Sequence, residues 1–156
     1  MSKSKRMLHR SESRLPGRIV DSYTEVRPSR LHGYGLFARR FIPEGAVWWH
    51  ARPQDVLLVS EEQFKVLKQS FCPPDWYRPR LVDRMLDCLC AYSFFDADTN
   101  SLVFCLDNAR YVNHSVTPNS EAGPDRFSSI AIRDILPGEE ITENYSKYDK
   151  ASWAKR

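Results

Sequence analysis

The chemistry of this chain concentrates in Asn108-Ala109-Arg110-Tyr111-Val112-Asn113-His114-Ser115-Val116-Thr117-Pro118-Asn119. Asn113 and Asn119 bracket a Ser-Val-Thr-Pro turn, and Arg110 and His114 flank apolar Tyr111 and Val112. Asn and Ser readily bond their own backbone, and Pro118 pushes Thr117 towards an extended conformation. The stretch therefore reads as a short extended segment stopping in a turn dense with hydrogen-bonding groups. Either a rigid scaffold presents it to a polar ligand, or it is simply a well-bonded turn. Hydrolysis by Ser115 and His114 fits poorly. Adjacent residues on an extended segment point opposite ways, and no G-x-S-x-G turn is present.

A second stretch able to do chemistry is Pro28-Ser29-Arg30-Leu31-His32-Gly33-Tyr34-Gly35-Leu36-Phe37-Ala38. Glycines two apart let the backbone bring its N–H and C=O groups close to a ligand, or simply turn a hairpin. The third glycine and following helix that dinucleotide binding needs are absent. Cys72, Cys88, Cys90 and Cys105 lack paired C-x-x-C spacing, so buried thiols are expected rather than a metal site.

Around these stretches the pattern is mostly β. Ile19 to Arg27 alternates apolar and polar residues, as a first strand does, and 18–50 reads as short antiparallel strands joined by tight turns. Ala46-Val47-Trp48-Trp49 reads as a buried strand whose tryptophans belong to the core. Residues 60–91 form a helical insert. Ser60 is placed to cap one helix ending at Cys72-Pro73-Pro74, and Leu81, Val82, Met85, Leu86 and Leu89 repeat at three and four. Ala91 to Phe95 and Leu102 to Leu106 predict a hairpin, with further strands at Ile130 to Ile132 and Ile141 to Asn144. Ile42-Pro43-Glu44-Gly45 and Leu136-Pro137-Gly138-Glu139 predict two similar turns.

At 156 residues, one domain with a real core is expected. No apolar run is long enough to span a bilayer, and no apolar stretch follows the first basic residues. A cytoplasmic location is the expectation, with nuclear residence or delivery to a host cell without a cleaved signal left open. Residues 1–18 carry six basic residues against Glu12, a balance of +5, so with a net charge of +3 the remainder carries −2. A basic, flexible arm over 1–17 thus precedes a slightly acidic body that would not repel a basic peptide. The arm could make weak nucleic-acid contact.

Three separated stretches, in order, resemble the SET-domain family. Gly33-Tyr34-Gly35-Leu36-Phe37-Ala38 followed by Ile42-Pro43-Glu44-Gly45 resembles its opening motif. Arg110-Tyr111-Val112-Asn113-His114-Ser115 with Pro118-Asn119 resembles its R-F-x-N-H-S-C-x-P-N segment, and Gly138-Glu139-Glu140-Ile141 with Tyr145 resembles its G-E-E-L-x-x-x-Y ending. The resemblance covers about 18–149, leaving a short tail at 150–156. It implies a mainly β fold of small curved sheets with a short helical insert and a C-terminal knot-like crossing. It also implies transfer of a methyl group from S-adenosylmethionine to a lysine of a protein or peptide substrate. A catalytically weak SET-like module that only binds peptide or cofactor is the alternative.

On that resemblance, the main chain at His32, Gly33, Tyr34 and Gly35 approaches the cofactor, with Tyr92, Arg110 and Tyr111 shaping its pocket. Asn113 and the backbone of His114 bond it, Trp153 stacks on it, and Tyr145 is the catalytic tyrosine. The His114 imidazole is open to a structural role. Val116 stands where the family motif has cysteine, and no cysteine-rich tail follows Tyr145, so no zinc is expected. Position 122, a channel tyrosine in some members, is Ala122, and a wider channel there would favour more than one methyl addition. The oligomeric state is left open.

Overall fold

The computed structural model describes residues 23–69, 80–125, 127–148 and 150–154, with backbone alone at 80–83. The basic arm, the strand residues expected before Tyr23 and the Cys72-Pro73-Pro74 stop lie outside the described residues.

Three small sheets build the body. The first runs β1 (Thr24–Pro28), β2 (Tyr34–Ala38), β10 (Glu140–Glu143), β7 (Asn113–His114). β1 and β2 form an antiparallel hairpin, and β10 pairs antiparallel with β2 and parallel with β7. The last strand is thus inserted between the glycine-bearing strand and the histidine-bearing one. The second sheet runs β3 (Val47–His50), β9 (Ser128–Ala131), β8 (Ser120–Ala122). The third runs β4 (Val56–Ser60), β6 (Ser101–Cys105), β5 (Ser93–Asp96). The helical insert comprises α1 (Glu61–Gln69) and α2 (Arg80–Tyr92). None of the described helices is long and apolar enough to cross a membrane.

Local chemistry explains these choices. Ser60 caps α1 as expected: its hydroxyl accepts from Gln63 N at 3.2 Å, and the Gln63 side chain accepts from Ser60 N at 2.9 Å. The two similar turns face each other, because Ile42 and Ile135 exchange backbone bonds of 3.0 and 2.9 Å. Trp48 and Trp49 are both buried although neighbours on a strand should alternate, and the register of β3 against β9 shifts between Val47 and Trp49. A bulge re-aims side chains in this way. Each indole N–H finds an acceptor, Ser120 Oγ at 2.7 Å and Asp107 Oδ2 at 2.9 Å. One core gathers Leu36, Ile42, Trp48, Trp49, Ile135 and Ile141. A second gathers Val59, Phe64, Leu86, Leu89 and Leu102 under the helices.

Four expectations are corrected. β3 pairs with β9 across the sequence rather than with its chain neighbours. Tyr92 is the last residue of α2, not part of the hairpin strand, because the apolar period of three and four persists that far. Strands β4 and β8 were not anticipated. Cys105 is buried as expected, but Cys88 is half-buried and Cys90 exposed.

Candidate functional site

The insertion of β10 between β2 and β7 brings the three chemistry-bearing stretches together. Thr142 pairs with Asn113 and Glu143 with His114 in the parallel ladder. From β7, the Asn113 amide Nδ2 has three acceptors: His32 O at 3.1 Å, Tyr34 O at 3.0 Å and Glu140 Oε1 at 2.8 Å. One side chain therefore ties the asparagine-histidine strand to the glycine bend. Gly33 sits at φ +48°, a conformation that only glycine adopts without strain, and a Cβ there would meet open space. Gly35 is needed for another reason: a Cβ would lie 2.2 Å from Glu140 Oε1.

Beside this bend three tyrosines meet edge to face. Tyr111 lies 6.5 Å from Tyr34 and 5.7 Å from Tyr92 between ring centroids. The Arg110 guanidinium stands 4.7 Å from the Tyr111 ring centre and donates to Leu106 O, Asp107 O and the Tyr111 hydroxyl. That fixes the planar cation against the aromatic face. Tyr34 and Tyr92 are both exposed, leaving aromatic surface open beside the carbonyls that Asn113 organises.

Tyr145 begins the 3-10 turn Tyr145–Lys147 directly after β10. Its backbone N–H donates to His114 Nδ1 at 3.1 Å, and the two rings lie 5.5 Å apart. Accepting at Nδ1 leaves Nε2 to carry the proton of the neutral imidazole, so the ring is occupied in positioning the tyrosine. The Tyr145 hydroxyl donates to Val112 O, one residue from Asn113. Desolvation, aided by the Glu143 carboxylate, pushes the phenol up to about 12, so at neutral pH it stays protonated.

Next to Tyr145 opens a hollow of about 170 Å³ lined by Pro118, Ser120, Glu121, Ala122, Asn144, Lys147 and Tyr148. Lys147 Nζ donates to Glu121 Oε2 at 3.0 Å on its rim. The Tyr148 ring lies 6.4 Å from that of Tyr145, and its hydroxyl donates to Glu143 Oε2. Burial, Glu143 and that hydrogen bond together raise the Tyr148 phenol well above the ordinary tyrosine range.

The structure thus gathers His32, Gly33, Tyr34, Gly35, Tyr92, Arg110, Tyr111, Asn113, His114 and Tyr145 along one seam. Trp153 is placed elsewhere. Its ring packs on Phe64 at 5.6 Å and Phe95 at 6.2 Å in the second core, and its N–H donates to Asn100 Oδ1 at 3.3 Å. Sequence reasoning missed Glu140, whose carboxylate accepts from Ser29 Oγ at 2.8 and 2.9 Å and from Asn113. It also missed Glu143 and Tyr148. Glu140 follows Glu139 in a charged turn, and nothing in its neighbours marks it as the residue turned inward.

Comparison with known proteins agrees with this geometry. The family model described as SET domain matches residues 33–146. A variant-silencing SET domain-containing protein of Plasmodium falciparum is 28% identical over 130 residues, covering 78% of this chain and 5% of that protein. Among solved structures, the Chaetomium thermophilum Polycomb Repressive Complex 2 bound to the inhibitor GSK343, in a humanized mutant, is 20% identical with a TM-score of 0.55. The match covers 83% of this chain and 16% of that one. The ctPRC2 structure in an autoinhibited conformation bound to S-adenosylmethionine is 21% identical with a TM-score of 0.56, at the same coverage. At such identities these structures show a shared fold, and the chain spans only a small part of each relative. The family model, by contrast, extends over most of the chain and takes in the glycine bend, the asparagine-histidine strand and Tyr145 alike: the chain belongs to the SET-domain family.

Proposed function

We propose that this chain transfers a methyl group from S-adenosylmethionine to a lysine side chain of a protein substrate. The observation that carries the reading is the Tyr145 hydroxyl bonded to Val112 O, one residue from the asparagine that holds the His32 and Tyr34 carbonyls. That seam has a candidate donor site on one part and the hollow beside Ala122 on another.

The residues present suit such a donor. Its amino-acid end needs hydrogen-bond acceptors, which the Asn113 side-chain oxygen and the main chain at His32 to Gly35 and His114 would supply. Its aromatic base needs a flat apolar surface, which exposed Tyr34 and Tyr92, with Tyr111 and Arg110 behind them, would offer. The open space at Gly33 leaves the bend clear. When bound, S-adenosylmethionine supplies an electrophilic methyl group on a sulfonium.

The protein's part is positioning. Lysine ordinarily titrates near 10.4, and entry into a desolvated passage disfavours its charged form. The Tyr145 hydrogen is committed to Val112 O, so its oxygen presents lone pairs to an entering amine. A phenol pushed up to about 12 is neutral at physiological pH. It accepts an amine N–H and aims the nitrogen lone pair without forming a covalent bond. Such orientation can lower a barrier by roughly 7–11 kcal/mol.

The test is mass spectrometry of a mixed protein extract after incubation with isotopically labelled donor and either wild type or Tyr145→Phe. Labelled lysines are expected with wild type, and with the variant a loss of 100-fold or more in rate with donor binding retained. Near-normal labelling by Tyr145→Phe removes that residue from the mechanism. Donor binding without labelling by wild type supports a binding module instead.

A further inference from the structure

Glu143 has no place in the sequence reading, yet it is among the few buried charged residues. It is 8% exposed at the end of β10, and its backbone carbonyl accepts from Ser115 N at 3.0 Å. Its Oε1 accepts from Ser120 Oγ at 3.0 Å, and its Oε2 from the Tyr148 hydroxyl. Ser120 is itself fully buried, with its oxygen accepting from the Trp48 indole. These donors are all neutral, and among the described residues no cation is paired with Glu143. Taking a carboxylate out of water costs several kcal/mol, which hydrogen bonds to neutral groups offset only in part.

Ser120 and Tyr148 are also walls of the hollow beside Tyr145. The buried carboxylate therefore stands directly behind two sides of an open space, where water screens it poorly. The other acid on that wall, Glu121, is engaged by Lys147 and half in solvent. The field of Glu143 reaches both neighbouring phenols, raising each. A carboxylate placed this way attracts a positive group that enters the hollow and gives nothing to a neutral group of the same shape.

We propose that Glu143 is a specificity-determining residue: held between Ser120 and Tyr148, its carboxylate selects a cationic aliphatic side chain in the hollow over its uncharged counterpart. This deepens the reading of the hollow as the substrate side-chain site and rests on it. It also divides the labour, since a carboxylate that recruits an ammonium resists its deprotonation. Recruitment falls to Glu143, and alignment of the neutral amine to Tyr145.

The test uses the full chain, isotopically labelled and observed by NMR, titrated with n-butylammonium and separately with n-butanol. The expected result is at least about tenfold tighter binding of the ammonium, with shifts centred on Ala122, Asn144 and Tyr148. In Glu143→Gln, nearly the same shape, the preference is expected to fall to about twofold or less. Tyr148→Phe keeps the carboxylate and should keep most of the preference, which a purely structural role for Glu143 would not forecast. Equal affinity for the two probes in wild type overturns the proposal whether or not the variants fold. So does a preference unchanged in Glu143→Gln, or one lost only in Glu121→Gln. The readout needs no methyl donor, so its failure leaves donor binding intact, and absent donor binding leaves it standing.

Discussion

Replacing Gly35 by alanine places the new Cβ 2.2 Å from Glu140 Oε1, 2.8 Å from Glu140 Cδ and 3.0 Å from Ser29 Cβ. Ordinary contact begins at 3.4 Å, so from 2.2 to 3.4 Å the carboxylate oxygen must retreat by roughly 1.2 Å. Glu140 is flexible in isolation, but here Ser29 Oγ at 2.8 and 2.9 Å and Asn113 Nδ2 at 2.8 Å hold it. A retreat of that size stretches the Asn113 bond beyond hydrogen-bonding range. Overpacking costs about 1–3 kcal/mol and a hydrogen bond to a charged group about 1.5–3 kcal/mol, part of which the freed groups recover from water. The expected loss is about 2–3 kcal/mol, or roughly 6–10 °C in Tm for a chain of this size. Thermal melts of Gly35→Ala, Glu140→Ala and the double variant isolate the cause. With Glu140 truncated only the Ser29 contact remains tight, so the alanine should cost below about 1 kcal/mol. An equal cost in both backgrounds would refute the collision with Glu140, and with it the account of why this bend needs its second glycine.

Three further outcomes are expected. Alkaline titration followed at 295 nm should show Tyr145 and Tyr148 ionising late. Both phenols are raised, so the folded state holds protons that the unfolded chain releases near pH 10; stability should decline as pH climbs from about 10 towards 12, and Tyr148→Phe should shrink the late fraction. Ser120→Ala strands the Trp48 indole N–H and removes a donor from Glu143, costing about 3 kcal/mol in urea unfolding; a loss under about 1 kcal/mol would mean those groups find other partners. Cys105, buried and pushed up to about 12, should resist iodoacetamide at pH 8 in the folded chain, as read by peptide mass mapping, and react once unfolded.

How much of this was legible before the fold was seen depends on range. Ser60 announced its helix because a cap is decided within four residues. The hairpin around Asp96 to Ser101 was legible for the same reason, with Asn100 taking the positive φ that its turn requires. Strand β4 escaped notice because Val56, Leu57, Leu58 and Val59 form an unbroken apolar run without alternation, and strand β8 because Ser120-Glu121-Ala122 has almost no apolar character. The site residues were recovered through resemblance of whole motifs. Nothing local could bring Asn113 to carbonyls some 80 positions away, since that contact exists only once β10 is inserted between β2 and β7. Glu143 looked like one more charge at a strand end, and its burial depends on Ser120 and Tyr148, which the sequence does not mark as neighbours.

Isothermal titration of the wild-type chain with S-adenosylhomocysteine tests the central claim most directly, because it asks whether the seam joining Gly33, Asn113 and Tyr145 holds a donor at all. The expected result is saturable binding at one site per chain, weakened tenfold or more by Asn113→Ala in protein shown by its melt to be folded. No binding by folded wild type, or binding indifferent to Asn113, would contradict it.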